Sequence, residues 1–379
     1  MNYRLRYKWH LYHNTRRGGV LITINGYYPS TRDWIVTSNT LNNFYPFYQE
    51  EKIDIPEPKG MEKSIQWNQL VDTNHIPEQF VVDIPDGVFL GEKSGAVITP
   101  ENKIIGDVSH ELFAYYVFIN KKLPDLIEMN GNTALLFTYF ATNYFHFMFD
   151  VAARVHLLQK SNIPIDRFVT NSQFPFQDEI LTLLGIGKEK RIELKENLHF
   201  KATHLVIPSF IFSFKGIIPE WACDFLRREL LLKRKVKKLQ GYERIYISRE
   251  KARHRKVKNE EEVMDLLKIY GFKRVFLESE PVTRQIELFH SAQIVVSPLG
   301  AGLTNLMFCN PGTKVIEFFG PTWVRPCFRL ISHYMGLDYY YFMGEPIPVK
   351  YEFNDYRQLV DDITVNLDKL KDALASVMR

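Results

Sequence analysis

The amino-acid sequence predicts an α/β protein with a pair of Rossmann-like domains that face a cleft, an irregular β-rich amino-terminal region and a carboxyl-terminal helix. Two observations support this prediction. From residue 242 onward, short β-branched runs alternate with amphipathic helical segments, the pattern of a parallel sheet covered by helices. A second set of strand and helix signals lies between residues 134 and 208. Two such units in one chain would enclose a cleft between them.

Composition and charge narrow the classes of protein to consider. A chain of 379 residues predicts more than one domain, and its net charge of +4 is too small to favour a nucleic-acid partner. Three cysteines without metal-ligand spacing favour a reducing compartment. The longest apolar stretch, residues 134–149, is too short to span a bilayer, and the amino end lacks the apolar core of a secretory signal. We therefore expect a cytoplasmic protein.

The first two regions are a β-rich segment, residues 1–110, and a Rossmann-like domain, residues 111–235. In the β-rich segment, residues 82–91 predict strand, turn and strand, with Asp86 and Gly87 at the turn. The other strands predicted in these regions are 19–24, 79–84, 134–139, 163–171 and 204–208.

A polar stripe follows the strand predicted at residues 134–139. Asn143 is a good N-cap for the next helix, on which His146, Asp150 and Arg154 are spaced four residues apart and share one face. One interpretation is structural: a core histidine bonded to Asp150, with Arg154 completing an ion pair. The other is a general base held at the edge of the cleft. The residues alone leave both open.

Residues 221–239 predict a helix with a strongly basic end. Such a run is typical of a solvated connector between domains. The alternative is a peripheral contact with anionic lipid, which would hold the protein at a membrane surface.

A second Rossmann-like domain is predicted for residues 236–350, followed by a helix over residues 351–379. Asn259 and Glu262 resemble a capping box, Gly271 ends that helix, and Pro281 opens the next. The apolar positions of the last helix are Leu359, Ile363, Leu367 and Leu370. The strands predicted in this domain are 244–247, 274–277, 294–297 and 313–319.

The turn after the third of these strands predicts an anion site. Gly300 and Gly302 flank Ala301, so the backbone can turn tightly and approach a ligand. The first N–H groups of the following helix, expected at Leu303, Thr304 and Asn305, would point at that ligand. A tight turn without any ligand is the alternative.

Two arginines support the anion site. Arg249 and Arg253 follow the strand 244–247, near the point where the Gly300 turn should emerge. Guanidinium groups match phosphate oxygens with paired hydrogen bonds, so arginines at one strand end and a helix amino end at another predict a diphosphate site.

Six sequence motifs occur in a fixed order along the chain. The motifs are N-Y-F-H-F-M-F-D at 143–150, Y-I-S-R-E-K-A-R at 246–253, N-E-E-E at 259–262, Q-I-E-L-F-H-S-A at 285–292, S-P-L-G-A-G-L-T-N at 297–305 and P-G-T-K-V-I-E-F-F at 311–319. This ordered set resembles glycosyltransferase family 61. The resemblance covers roughly residues 80–345 and implies a GT-B-like fold and an inverting mechanism. It also implies a nucleoside-diphosphate sugar donor and no obligatory metal.

The resemblance also implies roles for individual residues. Asp150 matches the proposed catalytic base, His146 its companion, and Arg249 with the turn Gly300–Asn305 the donor diphosphate site. Leu299 departs from the family, which commonly has histidine at this position of the turn. The full donor set inferred in this way is Asn143, Ser248, Arg249, Arg253, Gly300, Ala301, Gly302, Leu303, Thr304, Asn305 and Glu317.

The resulting hypothesis is an inverting glycosyltransferase that moves a sugar, expected from a UDP-sugar, to a hydroxyl of a glycan or glycoconjugate. Residues 111–235 would then carry the acceptor and the base, and residues 236–350 the donor. No cofactor and no metal are expected, although Glu278 and Glu280 form an E-x-E that could bind magnesium. The alternatives are a carbohydrate-binding or inactive transferase-like protein and a dinucleotide-dependent oxidoreductase. The latter would lack the third glycine of its motif, because position 305 is asparagine.

Overall fold

The computed structural model describes residues 24–54, 57–60, 74–91, 95–109, 124–195, 198–211, 216–320, 323–345 and 360–378, and it forms a mixed α/β fold with parallel strands in its two large sheets. The strands before residue 110 are β1 (Gly26–Tyr28), β2 (Phe44–Tyr48), β3 (Glu51–Lys52), β4 (Lys59–Gly60), β5 (His75–Ile76), β6 (Gln79–Pro85), β7 (Val88–Gly91), β8 (Ala96–Ile98) and β9 (Lys103–Ile105). The later strands are β10 (Ile127–Leu136), β11 (Arg167–Thr170), β12 (Arg191–Glu193), β13 (Leu198–Pro208), β14 (Arg244–Ile247), β15 (Lys273–Val275), β16 (Ile294–Pro298), β17 (Lys314–Phe319) and β18 (Asp338–Met343).

Short helices connect these strands. The α-helices are α1 (Thr31–Ser38), α2 (Tyr144–Phe147), α3 (Val155–Ser161), α4 (Pro175–Leu183), α5 (Glu220–Arg227), α6 (Glu260–Ile269), α7 (Val282–Ser291), α8 (Cys327–Tyr334) and α9 (Leu367–Val377). A π-helical turn follows α2 at Met148–Ala152 and another follows α5 at Arg228–Leu232. The 3-10 helices are Leu41–Asn43, Lys188–Lys190, Leu277–Ser279 and Ala301–Phe308.

The first large sheet combines the amino-terminal strands with those of residues 127–208. Its parallel part runs β12-β11-β10-β13, so β10 and β13 are the neighbours at which the strand order reverses. Strands β6 and β7 pair antiparallel with β13, and β2, β8, β9 and β1 extend the sheet beyond them. The strands before residue 110 therefore belong to the same sheet as the first Rossmann-like unit.

Residues 82–91 contain the two strands that the sequence predicted, but without a chain reversal at the turn between them. The two strands do not fold back on each other as a hairpin, because β6 and β7 both pair with β13 in one continuous register. Asp86 has a positive φ of 55° and its N–H bonds Thr203, so the Asp86–Gly87 pair kinks a long strand without reversing it. Of the other predicted strands, 79–84 is confirmed by β6.

The second large sheet is entirely parallel. Its order is β15-β14-β16-β17-β18-β4, so β14 and β16 are the neighbours at which the chain order reverses. In open α/β sheets, ligands bind at such a switch point, outside the carboxyl ends of the strands. The strand order shows parallel strands but does not test the GT-B arrangement of two domains that the resemblance implies, so that arrangement stays a prediction.

A helical layer shared by both sheets forms the largest core cluster. Side chains alternate along the strands, so Ile245 and Ile247 pack into the shared core while Tyr246 packs on the opposite face, with α6 and α9. Helices α2 to α5, α7 and α8 contribute to the shared core. Both faces of the parallel strands are thus covered, as their apolar sequences require.

Several predicted boundaries were wrong. The helix expected over residues 221–239 ends with the π-helical turn at Leu232, and β10 ends at Leu136 instead of residue 139. The basic residues that follow the turn are therefore not helical. Within the described residues, no helix combines the length and apolar composition needed to cross a bilayer, and the lipid contact stays a prediction.

The predictions for the start of α6 and for the carboxyl-terminal helix were also wrong in part. Asn259 precedes α6 but makes no capping bond, because its side chain binds the backbone of Val365 on the carboxyl-terminal segment. In the tail, α9 begins only at Leu367, while Ile363 forms a bridge with Val257. Leu359 and the strand predicted at residues 19–23 lie outside the described residues.

Candidate functional site

The glycine turn lies at the carboxyl end of β16, at the switch point of the second sheet. Gly300 is extended, with a φ of −172°, and a 3-10 helix begins at Ala301. The N–H of Leu303 already donates to the carbonyl of Gly300 over 3.0 Å, and Thr304 and Asn305 are fully buried. The sequence predicted that these three residues present their amides to a ligand, and this prediction was wrong. The amides before the first intrahelical bond belong to Ala301 and Gly302.

Arg249 is packed onto the backbone of Gly300. A Cβ built on Gly300 would lie 2.1 Å from Nη1 of Arg249, so a glycine at this position makes room for the guanidinium group. Nη2 of Arg249 donates to the carbonyl of His254 over 2.8 Å, which fixes the side chain from the other side. Burial, followed by the charge of Arg255, lowers the pKa of Arg249 to about 10, so the side chain stays cationic at neutral pH.

A larger cavity of about 630 Å³ is lined by Gly300 and Ala301. It lies over the ends of β14, β15 and β16, and Ser248 and Arg249 line it together with Glu278 and Glu280. Ser248 is buried and donates to Glu260 over 3.0 Å. The opposite wall comes from the first unit and is aromatic, formed by Tyr144, Phe174 and Phe176.

A smaller cavity of about 200 Å³ shares the Gly300–Ala301 backbone with the larger one. Gly300, Ala301 and Leu299 line it together with Asn143 and His146 of the first unit. The side chain of Asn143 also accepts a hydrogen bond from Phe145 N and caps α2, as the sequence predicted. The turn and the polar stripe, which lie more than a hundred residues apart in the chain, thus meet across one space.

Sequence reasoning missed several residues of the smaller cavity, among them two arginines and a tryptophan. Arg255 lines it, whereas the expected Arg253 is exposed and lines neither cavity. Nothing in the sequence distinguishes the two arginines. Trp323 and Arg325 also line it, and both follow the carboxyl end of β17. That position in an open parallel sheet is a general signal for ligand contact and could have identified them.

His146 and Asp150 form a pair in which only the histidine lines the cavity. Nδ1 of His146 lies 3.4 Å from Oδ2 of Asp150, and Asp150 is 3% exposed. With the proton on Nδ1, which orients the ring toward Asp150, Nε2 is the basic nitrogen. The ring of Phe140 packs at 5.0 Å and supports the ring of His146. The pair therefore has the arrangement of a base held by a carboxylate.

Arg154, the third member of the polar stripe, has a structural role. Its guanidinium group donates to backbone carbonyls at the ends of β10 and β13, where the strand order of the first sheet reverses. These carbonyls belong to Leu135, Phe137, Pro208 and Ser209, and it also bonds the carbonyl of Asp150. Burial lowers the pKa of Arg154 to about 9, and the Asp150 charge opposes this shift. Arg154 thus fills the switch point that a ligand would otherwise occupy, and its hydrogen bonds go to carbonyls rather than to the expected carboxylate partner.

Hydrogen bonds join the two units behind the site. The hydroxyl of Tyr144, the first residue of α2, donates to Oδ1 of Asn305 over 2.9 Å. Asn305 in turn donates to Gln285 over 2.9 Å. Glu179 of α4 accepts from the first two amides of α7, Val282 and Thr283, each at 2.8 Å. Asn305, expected at the donor site, therefore links the units, and it fixes the position of the helix that carries His146.

Glu317 is enclosed and lines neither cavity. Its Oε2 accepts from the hydroxyl of Tyr339 over 2.6 Å, and its Oε1 has no hydrogen-bond partner within the described residues. Burial raises the pKa of Glu317 to about 8, so the carboxyl group is largely protonated at neutral pH. It lies close enough to influence the pKa of Arg255, which lines the smaller cavity.

Glu278 and Glu280 both line the larger cavity. In the part of the chain that the structure describes, no group of three or more histidine, cysteine or carboxylate side chains is arranged to hold a metal ion.

Comparison with known proteins gives a family and two partial relatives. Residues 144–316 match the family model described as Glycosyltransferase 61. A beta-1,2-xylosyltransferase of Oryza sativa subsp. japonica is 41% identical over 56 residues, which cover 15% of this chain and 10% of that protein. A beta-1,2-xylosyltransferase of Arabidopsis thaliana is 32% identical over 56 residues, with the same coverage of 15% and 10%. The matched segment therefore spans a tenth of the length of these relatives.

Proposed function

Residues 144–316 are a glycosyltransferase 61 domain, and from this premise we propose that the protein is an inverting glycosyltransferase. It would transfer a sugar from a nucleoside-diphosphate sugar, expected to be a UDP-sugar, to a hydroxyl of a glycan or glycoconjugate. One observation carries the proposal: His146, which pairs with Asp150, lines a common cavity with the glycine turn, and Arg249 packs onto the backbone of that turn.

The donor diphosphate would bind at the Gly300–Ala301 backbone. Arg249 supplies a fixed guanidinium group there, and the amides of Ala301 and Gly302 supply donors at the start of a helix. The nucleoside would occupy the larger cavity, where Phe174 and Phe176 provide aromatic faces. The sugar would then extend into the smaller cavity, on the side of His146.

The chemistry assigned to this site is a single displacement at the anomeric carbon. His146 would take the proton from the acceptor hydroxyl as its oxygen attacks, and Asp150 would hold the imidazole ring and stabilise its positive charge. This division of roles differs from the expectation that Asp150 itself is the base, because His146 lines the cavity while Asp150 is buried and does not line it. The bond to the diphosphate breaks as the new bond forms, and Arg249 would stabilise the charge on the leaving group.

The proposal leaves the identity of the transferred sugar to experiment. The two relatives are xylosyltransferases, which makes xylose one sugar to test, although their matched segment covers 15% of this chain. Metal independence stays a proposal, and it follows from assigning the diphosphate to guanidinium and amide groups.

The experiment uses the purified chain with a panel of UDP-sugars and oligosaccharide acceptors, and it measures nucleoside diphosphate release. We expect one nucleotide sugar to be consumed in an acceptor-dependent manner, with NMR showing an anomeric configuration in the product opposite to that in the donor. Retention of configuration would contradict the single displacement. Consumption of no nucleotide sugar, together with energy transfer from tryptophan to bound NADH, would favour the oxidoreductase instead.

A further inference from the structure

Two exposed aromatic side chains lie next to the His146–Asp150 pair. Tyr139 and Phe140, in the turn between β10 and α2, are 53% and 37% exposed and form an aromatic ledge. Their rings pack edge to face with the centroids 5.2 Å apart, and the ring of Phe140 lies 5.0 Å from the ring of His146. The inner ring of the ledge therefore contacts the residue assigned as the base, and the outer ring is the more exposed to solvent.

The turn that carries the aromatic ledge is held by hydrogen bonds from elsewhere in the first unit. The N–H of Thr138 donates to the side chain of Asn171 over 3.0 Å. The buried side chain of Gln177 donates to the carbonyl of Ala141 over 2.8 Å. The fold thus fixes two neighbouring apolar rings at the surface, and a contiguous exposed apolar patch beside a site indicates contact with a ligand.

The chemistry of the aromatic ledge favours a neutral sugar as that ligand. No charged residue occurs in the sequence between Glu128 and Asp150, so the ledge lies in an uncharged stretch of chain. An aromatic face offers a broad apolar surface that matches the C–H face of a sugar ring. A nucleic acid would instead require basic side chains for its phosphates.

The position of the aromatic ledge assigns that sugar to the acceptor. Tyr139 and Phe140 line neither of the two cavities to which the donor is assigned. His146 lines the smaller cavity and also contacts Phe140, so it touches both the space for the donor sugar and the ledge. A molecule bound on the ledge would therefore place a hydroxyl beside the base, as an acceptor must.

We propose that Tyr139 and Phe140 bind the acceptor by stacking on a sugar ring next to the reacting hydroxyl, so that the acceptor is a neutral saccharide instead of a serine or threonine side chain. This assignment rests on the proposed function, because it takes His146 as the base of a glycosyl transfer. A sugar ring on the ledge removes apolar surface from water, whereas a small hydroxyl-bearing side chain has no ring face to cover it.

The first test is saturation-transfer NMR of the purified chain with the methyl glycosides of xylose, glucose, galactose and mannose, without any donor. At least one glycoside should receive saturation at its ring C–H protons. Tyr139→Leu should reduce this signal at least about threefold, because leucine is apolar but has no flat face, and Tyr139→Phe should retain it. Tyr27→Leu is the matched control, since Tyr27 is 44% exposed on β1 at the far edge of the first sheet.

The second test measures the kinetics of transfer to oligosaccharides and to serine- and threonine-containing peptides. Tyr139→Leu should raise the KM for the saccharide acceptor by about 3–10-fold and leave kcat and the donor KM unchanged, as expected when binding alone is lost. Phe140→Leu should raise the acceptor KM and also lower kcat, because its ring supports His146.

Three results would overturn the proposal. They are a wild-type NMR signal and acceptor KM in Tyr139→Leu, a change of the donor KM alone in that variant, and transfer to the peptides without transfer to any saccharide. A failure of the proposed function is distinguishable, because then no nucleotide sugar is consumed with any acceptor. In that case the NMR test still decides the saccharide contact: a signal that depends on Tyr139 supports it, and the lack of any ring-proton signal in the wild type rejects it.

Discussion

Replacing Gly300 by alanine should impair the anion site and leave the fold intact. The backbone of Gly300 is extended, so alanine adopts it without strain. The added Cβ would lie 2.1 Å from Nη1 of Arg249, whereas ordinary contact begins at 3.4 Å, so the guanidinium group must move by more than 1 Å. A charge-assisted hydrogen bond is worth about 1.5–3 kcal/mol, so its loss predicts UDP affinity about 10–150-fold weaker.

Calorimetry of UDP binding and thermal melting measure the two effects of Gly300→Ala separately. The melting temperature should change little, because the displaced atoms are the far end of a flexible side chain. Gly320→Ala is the matched control, since a Cβ there meets nothing closer than 3.8 Å. Arg249→Ala should reproduce the loss of affinity. Wild-type UDP affinity in Gly300→Ala would refute the placement of the diphosphate beside Arg249.

Three further predictions concern the buried carboxylates and metal dependence. Asp150→Asn should lower turnover by about 10²–10⁴-fold because the amide can still accept from His146 but no longer supplies the negative charge that stabilises the imidazolium ring. It should also lower the melting temperature because the Asp150 charge supports buried Arg154; normal turnover in the folded variant would show that the pair is not catalytic. Glu317 has a folded pKa of about 8 against an ordinary value of 4.5, so its contribution to stability is complete below pH 4.5 and is lost as pH rises through 8. The wild-type melting temperature should therefore fall more steeply between pH 5 and 8 than that of Glu317→Gln, and parallel curves would contradict the assignment. Activity should survive EDTA because the anion site consists of guanidinium and amide groups, and full loss restored by manganese or magnesium would instead implicate Glu278 and Glu280.

The parts of the fold that the sequence predicted correctly depend on local periodicity. Strand β14 occupies the predicted residues 244–247, and β16 extends the predicted run 294–297 by one residue. These strands are buried on both faces, so their apolar runs carry a strong signal. The Asp86–Gly87 kink was mistaken for a chain reversal, because a turn dipeptide does not reveal the register with a distant strand such as β13.

The site was predictable in its backbone features and less so in its side chains. Gly300 and Asn143 have local roles, a turn and a helix cap, that sequence spacing can identify. Arg255 and Arg253 are indistinguishable in sequence, since their exposure depends on the path of a loop with a positive φ of 57° at Arg255. Asn305 was assigned to the donor because it follows two glycines, but its partner Tyr144 lies on the other unit and gives no local signal.

His146→Gln tests most directly whether the cavity between the units is a catalytic centre. Glutamine removes the basic ring nitrogen and keeps a polar side chain of comparable reach, while the donor residues at Arg249 and Gly300 are untouched. We predict that mass spectrometry of the acceptor glycan will show transfer about 10²–10⁴-fold slower than wild type, with UDP affinity and melting temperature unchanged. Transfer at the wild-type rate by His146→Gln would contradict the account.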